Sequence, residues 1–258
     1  MKRWWSLVKK EWRSSWTVVL LALVAVCGFD AWLAFKAPVW SGTINRELAF
    51  GLSFIPFAGI GISAFVIGYL IMRYEWRDRT SLRLLSYPVR GIEIILAKLI
   101  IAVLGLGIIA IVAAAGTWLV TQSSPELHSV MISVTEEILQ LRPWERALDI
   151  MWIVACLILG ASFIIALGVF SFVIGTIVPR MSGLIAVIVY SLIGYLTSAF
   201  APHAMYVFSF VPNPGLIVYS TDPRVREVIP ILPFWPALVG TVALVWVAGR
   251  ILESEVDA

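Results

Sequence analysis

The chain has 258 residues, of which 60% are apolar and 14% are charged, and its formal net charge is +3. Because a soluble domain of this length usually has about a quarter of its residues charged, the composition excludes an ordinary soluble protein. Several apolar stretches reach the roughly 20 residues that cross a bilayer as a helix, and no alternating barrel pattern occurs, so the sequence predicts an all-α polytopic membrane protein.

The first sixteen residues precede the first apolar stretch, and on a helical wheel their tryptophans share one face while basic residues lie away from it. This pattern predicts either an amphipathic interfacial helix over residues 1–16 or a simple anchor for the first span. Both alternatives place the tryptophans at the membrane interface, in contact with lipids. They are Trp4, Trp5, Trp12 and Trp16.

Six transmembrane helices follow within a single integral-membrane domain, residues 1–258. We expect them at residues 17–35, 48–72, 93–120, 147–178, 183–201 and 233–250. The short connection between the fourth and fifth spans predicts antiparallel neighbours. Small residues spaced four apart, such as Ala64 with Gly68 and Ser171 with Gly175, indicate close helix contacts within the chain or between two copies.

Most of the 19 lysines and arginines fall on the side of this arrangement that holds both termini and the loop at residues 74–91. Cytoplasmic loops carry such an excess, so we expect both termini in the cytoplasm. The positive charge then reflects topology, and no basic surface for nucleic acid is predicted.

Residues 202–232 are too apolar for an ordinary outer loop. Their centre is a strong turn signal between two apolar arms, which predicts either a re-entrant helical hairpin acting as an outer gate or a surface cap. The turn residues are Pro212, Asn213, Pro214 and Gly215.

The sequence contains no pattern of an enzyme acting alone. No phosphate-binding G-x-x-x-x-G-K-[ST] and no H-E-x-x-H occur, and His128 and His203 lie in different loops, so we expect no catalytic residues and no metal site. Asp30 and Asp149 lie towards the outer ends of their spans, so the span interiors offer few charged groups to a proton- or sodium-coupled carrier.

The loop at residues 74–91 is the most polar stretch of the chain. It is long enough for two or three helical turns that present charged and apolar side chains together, as a docking surface for a soluble protein does. The residues that we expect to act there are Glu75, Arg77, Asp78, Arg79, Thr80, Arg83, Leu84, Leu85, Pro88 and Arg90.

Together with Lys98, this loop resembles the permease signature of type 2 ABC transporters, in which an E-R-x-x-G-T-like opening leads to L-L-x-x-P-V and a lysine in the next helix. Arg79 stands where that family often has glycine. The resemblance implies a coupling helix in the loop and two copies of a separate ABC ATP-binding subunit that carries the ATP and Mg. It also implies a second permease copy, identical or a paralogue, and a bacterial-type plasma membrane.

Hydroxyl and aromatic residues of the second and fifth spans are the candidates for lining a translocation pathway. They are Ser53, Ser63, Tyr190, Ser191, Tyr195, Thr197 and Ser198. Without fixed charges, such a pathway suits hydrophobic or amphipathic cargo, and within the family small exporters of toxic peptides fit this description. The other hypothesis is a non-transporting sensor, immunity or scaffold protein whose loop binds a regulator.

Overall fold

The computed structural model describes residues 2–39, 43–77, 91–123, 143–177, 181–208, 210–211, 215–219, 226–230 and 234–256. Within these residues the chain forms helices and one short two-stranded sheet. The helices are α1 (Lys2–Lys36), α2 (Thr43–Ser53), α3 (Ile55–Arg77), α4 (Gly91–Gln122), α5 (Pro143–Thr176), α6 (Ser182–Val207) and α7 (Phe234–Val256). The strands are β1 (Gly215–Tyr219) and β2 (Arg226–Pro230).

Six stretches of helix among the described residues are long and apolar enough to cross a membrane, which confirms the predicted number of candidate spans. They fall in α1, in α2 with α3, and in each of α4 to α7. The helices extend beyond most of the predicted bounds, some by one or two residues and others by four or more. Hydropathy detects only the apolar centre of a helix, whereas the helix itself continues into its polar ends.

The predicted boundary between an interfacial helix and the first span is wrong. α1 is one continuous helix of 35 residues, and it passes through Trp16 without a break. No glycine or proline occurs between Lys2 and Cys27 to interrupt its hydrogen bonds.

The second predicted span is divided at Phe54 into α2 and α3. Pro56 has no N–H to donate to the carbonyl one turn earlier, and its ring disturbs that turn. The amides of Phe54 and Phe57 make shorter-range bonds, to the oxygens of Gly51 (3.2 Å) and Phe54 (3.1 Å). The regular hydrogen-bond pattern of the helix therefore starts again one residue later. The Ser53 carbonyl oxygen can then accept a hydrogen bond from another donor.

The helical form predicted for the hairpin within residues 202–232 is also wrong, whereas its re-entry into the membrane and its role as an outer gate stay predictions. α6 continues to Val207, with Pro202 inside it, and the later residues form an antiparallel pair of strands in which Gly215 lies opposite Pro230. Gly215 opens β1, so the two arms do not turn at this residue, and Pro212–Pro214 lie outside the described residues. The arms are rich in β-branched residues (LIVY and REVIP), which favours strands.

Packing divides the chain into two compact units. Unit 1 is Met1–Glu11, Ala64–Val103 and Leu148–Ala258, and unit 2 is Trp12–Ser63 and Leu104–Ala147. Unit 2 has a buried apolar cluster of Leu33, Ala37, Ala49 and Val120.

In unit 1, helices touch through glycines. A Cβ at Gly68 of α3 would lie 2.5 Å from the carbonyl oxygen of Ile165, and one at Gly168 of α5 would lie 2.9 Å from that of Phe65. At the end of α5, Gly175 lies against the carbonyl of Ser182, so α5 and α6 are in contact as their short connection predicts. Gly68 and Gly175 thus serve packing within the chain.

Candidate functional site

The polar loop ends at Gly91, where α4 begins in close contact with the C-terminal helix. The Gly91 amide donates a hydrogen bond to the Glu253 Oε1 atom at 3.0 Å. A carboxylate at this place satisfies one of the free N–H groups at a helix start and interacts favourably with the helix dipole. A Cβ at Gly91 would lie 2.7 Å from the Gly249 oxygen, so only glycine allows the two backbones to approach this closely.

Two helical turns further along α4, a buried ion pair joins this helix to the N-terminal part of α1. Lys98 Nζ lies 3.1 Å from Glu11 Oε2, and the side chains are 2% and 12% exposed. The charge of Lys98 is therefore held inside unit 1. Burying an ammonium requires a paired acceptor of this kind.

The helix that enters the loop, α3, is held by aromatic contacts to α5 and α6. The rings of Phe65 and Tyr190 have centroids 3.9 Å apart, and those of Tyr69 and Phe172 are 5.4 Å apart in an edge-to-face arrangement. One turn later, the Arg73 guanidinium lies 5.9 Å from the Tyr69 ring centre. The two ends of the loop are therefore fixed to different helices of unit 1.

Most of the predicted coupling residues lie outside the described residues. Glu75 and Arg77 belong to the last turn of α3, and their side chains are likewise not described. Residues 78–90, which include Asp78, Arg79, Thr80, Arg83, Leu84, Leu85, Pro88 and Arg90, are outside. Their role remains a prediction.

The candidate pathway residues separate into two groups. Ser53 is fully buried and its hydroxyl bonds to the Phe50 oxygen, while Ser63 and Tyr190 are half-buried. The other group lies on α6, where every residue from 195 to 200 is exposed in the single chain. Its members are Ser191, Tyr195, Thr197 and Ser198.

The tryptophans of α1 form two edge-on or tilted pairs along the helix. The Trp4 and Trp5 rings are 5.7 Å apart and those of Trp12 and Trp16 are 5.5 Å apart. Trp5 and Trp16 are exposed, and their position at the membrane interface stays a prediction.

Two residues of this site escaped the sequence analysis. Glu11 and Glu253 lie 87 and 162 residues from their partners, so no local spacing connects them. One signal was available for Glu11: a lone acidic residue among the basic and aromatic residues of the N-terminus needs a partner. For Glu253 no comparable signal exists, because an acidic C-terminus is equally compatible with a solvated tail.

No protein-family model matches the chain, and no curated protein or solved structure matches it either. The resemblance to type 2 ABC permeases therefore rests on the loop motif and on the number of spans.

Proposed function

We propose that the chain is the transmembrane subunit of an ATP-driven exporter. The observation that carries the proposal is the attachment of α4, the helix that follows the polar loop. Glu253 of α7 accepts a hydrogen bond from the first amide of α4, and Glu11 of α1 pairs with Lys98. The first eight residues of α4 are therefore attached to both α7 and α1.

This arrangement supports a coupling role for the loop. A soluble subunit that moves the loop also moves the start of α4, because the loop ends there. Backbone contact at Gly91 and Gly249 transmits that displacement to α7 with little loss, and the Lys98–Glu11 pair transmits it to α1.

The energy for transport would come from two copies of a separate ABC ATP-binding subunit, which would hold the ATP and Mg. This chain supplies no phosphate-binding motif of its own. Seated on the loop at residues 74–91, the ATP-binding subunits would alternate the exposure of the pathway between two permease copies.

The second copy would be a further identical chain, and α6 is our candidate for facing the pathway. Its exposed stretch combines Tyr195 with Thr197 and Ser198, whose hydroxyls bond to carbonyls of their own helix. Such hydroxyls present little unsatisfied polarity, which suits hydrophobic or amphipathic cargo such as peptides. Ser53 is better explained as a packing residue, because it is fully buried.

The test is gentle purification of the tagged chain from its own host, followed by mass spectrometry of the proteins that accompany it. We expect a stoichiometric ATP-binding subunit, and we expect the double variant Arg79→Glu with Arg83→Glu to lose it. The matched control, Lys36→Glu with Arg224→Glu, makes the same charge change on the predicted outer side and should retain the subunit. Cysteine accessibility would verify that both variants keep the wild-type topology.

A chain that purifies without an ATP-binding subunit, or that binds a regulator through the same loop, would contradict the exporter proposal. The second result would favour the sensor or scaffold hypothesis. Loss of the ATP-binding subunit in the control as well would show that the loop is not its docking surface.

A further inference from the structure

Unit 2 contains a buried carboxyl group without a hydrogen-bond partner. Asp30 of α1 is only 4% exposed, and neither Oδ1 nor Oδ2 is hydrogen-bonded. Among the described residues, Arg146 Nε is the other buried side-chain atom in this condition. Ionisable residues inside candidate spans are rare and usually functional, so Asp30 requires an explanation.

Gly116 of α4 provides the space that the carboxyl group occupies. A Cβ added at Gly116 would overlap Oδ2, Cγ and Cβ of Asp30. The Asp30 side chain therefore lies directly against the backbone of α4, where any residue other than glycine would displace it.

The parts of α1 and α4 on either side of the Asp30–Gly116 contact are mainly apolar. One turn further along α1, Leu33 belongs to the buried cluster of unit 2. The part of α4 in unit 2 (LGLGIIAIVAAAGTWLVTQ, 104–122) contains no titratable side chain. The other titratable or charged residues of the helices in unit 2 are Arg13, Cys27, Lys36, Arg46, Glu47, Glu145 and Arg146, of which the side chains of Arg46 and Glu47 are not described.

An ionised carboxylate in such a place would lose its hydration without gaining a partner, which costs several kcal/mol in a protein interior. A neutral carboxylic acid avoids most of this cost. The packed arrangement of Asp30 on Gly116 is therefore compatible with the protonated form and strongly opposes the ionised form.

We propose that Asp30 is a proton-binding site that holds a proton while it lies against Gly116. When α1 and α4 separate at this contact, the O–H bond of the acid breaks, the proton passes to water, and the carboxylate keeps the electron pair. Protonation and closure of the α1–α4 contact are thereby linked, and each favours the other. This inference does not depend on ATP-driven transport.

A metal cation fits the site less well than a proton. Hard cations take about six or more oxygen ligands, and Asp30 offers two. In the described part of the chain, no group of three His, Cys, Asp or Glu residues could hold a metal ion.

The test uses dicyclohexylcarbodiimide, an apolar reagent to which protonated carboxyl groups add, on the full-length protein in lipid nanodiscs. Peptide mass spectrometry should find Asp30 labelled at about pH 6 and far less at about pH 9. Asp149 provides an internal comparison, because it is also buried, at 6% exposed, but interacts with other groups, so it should react less. Absence of label on Asp30, or label that sodium chloride removes at constant pH, would overturn the proposal.

Two variants distinguish displacement of the Asp30 carboxyl group from a general effect of a larger side chain in α4. Gly116→Ala should lower labelling of Asp30 about tenfold, corresponding to displacement of the carboxyl group from its apolar place. Gly107→Ala is the matched control on the same helix, because an added Cβ there meets nothing within 4 Å. Equal labelling of the two variants would contradict the role of Gly116.

Asp30→Asn keeps the proposal testable if Gly116→Ala fails to fold. The amide imitates the neutral acid, so we expect this variant to insert and, at about pH 6, to unfold at a higher temperature than the wild type, because the unfolded wild-type chain releases the proton of Asp30 at that pH. Because the folded wild type binds the proton more tightly than the unfolded chain, its stability should fall as pH rises, and Asp30→Asn should abolish that slope. A variant that kept the full wild-type slope would place the titrating group elsewhere and refute the proposal.

Discussion

The glycine contact between α3 and α5 gives a quantitative prediction for Gly68→Ala. The added Cβ would lie 2.5 Å from the Ile165 oxygen and 3.1 Å from its Cα. Ordinary contact needs about 3.4 Å or more, so the helices would have to separate by about 1 Å, and both opposing atoms are backbone that cannot rotate away. Overpacking of this kind costs about 1–3 kcal/mol, and the helix propensity of alanine offsets about 1 kcal/mol.

We therefore expect Gly68→Ala to lower the free energy of unfolding by about 0–2 kcal/mol relative to the wild type, and by about 1–3 kcal/mol relative to an unhindered glycine-to-alanine change. The assay is reversible unfolding in mixed micelles of increasing sodium dodecyl sulfate, followed by the helical circular dichroism signal. Gly168→Ala should have a smaller effect, because its Cβ would lie 2.9 Å from the Phe65 oxygen. The control is Gly160→Ala, where nothing lies within 4 Å. If Gly68→Ala is as stable as Gly160→Ala, the backbone contact is not as close as the structure has it.

Three further predictions use the same unfolding assay. Thr117→Val should cost about 1 kcal/mol, because the Ser53 carbonyl loses its donor at the break between α2 and α3. Glu11→Gln should cost about 3 kcal/mol by leaving the buried Lys98 charge poorly compensated, whereas Glu11→Leu combined with Lys98→Met should be nearly neutral. Glu253→Ala should cost about 1 kcal/mol and speed amide exchange at the start of α4, and Glu253→Gln should have a smaller effect because its oxygen still accepts the bond. A stable Thr117→Val, a destabilised double variant or unchanged exchange in Glu253→Ala would each refute the corresponding contact.

The candidate spans could be predicted from the sequence because crossing a bilayer requires a long apolar helix, and such stretches are visible as composition. The division of the second span at Phe54 could not be predicted, because composition reports only how apolar a stretch is. Average hydropathy over residues 48–72 does not register one proline, although Pro56 removes an amide from the helical ladder.

The outer segment shows the limit of turn signals. Pro212–Gly215 looked like the centre of a hairpin, but Gly215 begins a strand that pairs with residues 226–230. The preference of LIVY and VIP for extended backbone outweighed the expected helical arms.

The candidate site depended on pairs that sequence spacing cannot connect. Lys98 was identified as part of a motif, yet its partner Glu11 lies on another helix, and only tertiary packing brings them within 3.1 Å. Likewise, the acidic residue against Gly116 lies in a span where hydropathy tolerates one charge, and the lack of a hydrogen-bond partner, which only the structure shows, distinguishes Asp30 from the equally buried Asp149.

The two kinds of contact at the start of α4 differ in how they would carry movement. Gly91 and Gly249 meet through backbone atoms, and a backbone contact of this closeness resists compression, so a push on α4 acts on α7 directly. The Lys98–Glu11 pair joins two flexible side chains, which maintain attraction over small displacements and can re-form after larger ones. A stroke delivered through residues 74–91 would thus reach α7 through backbone contact and α1 through the ion pair, and the proposed coupling role uses both contacts.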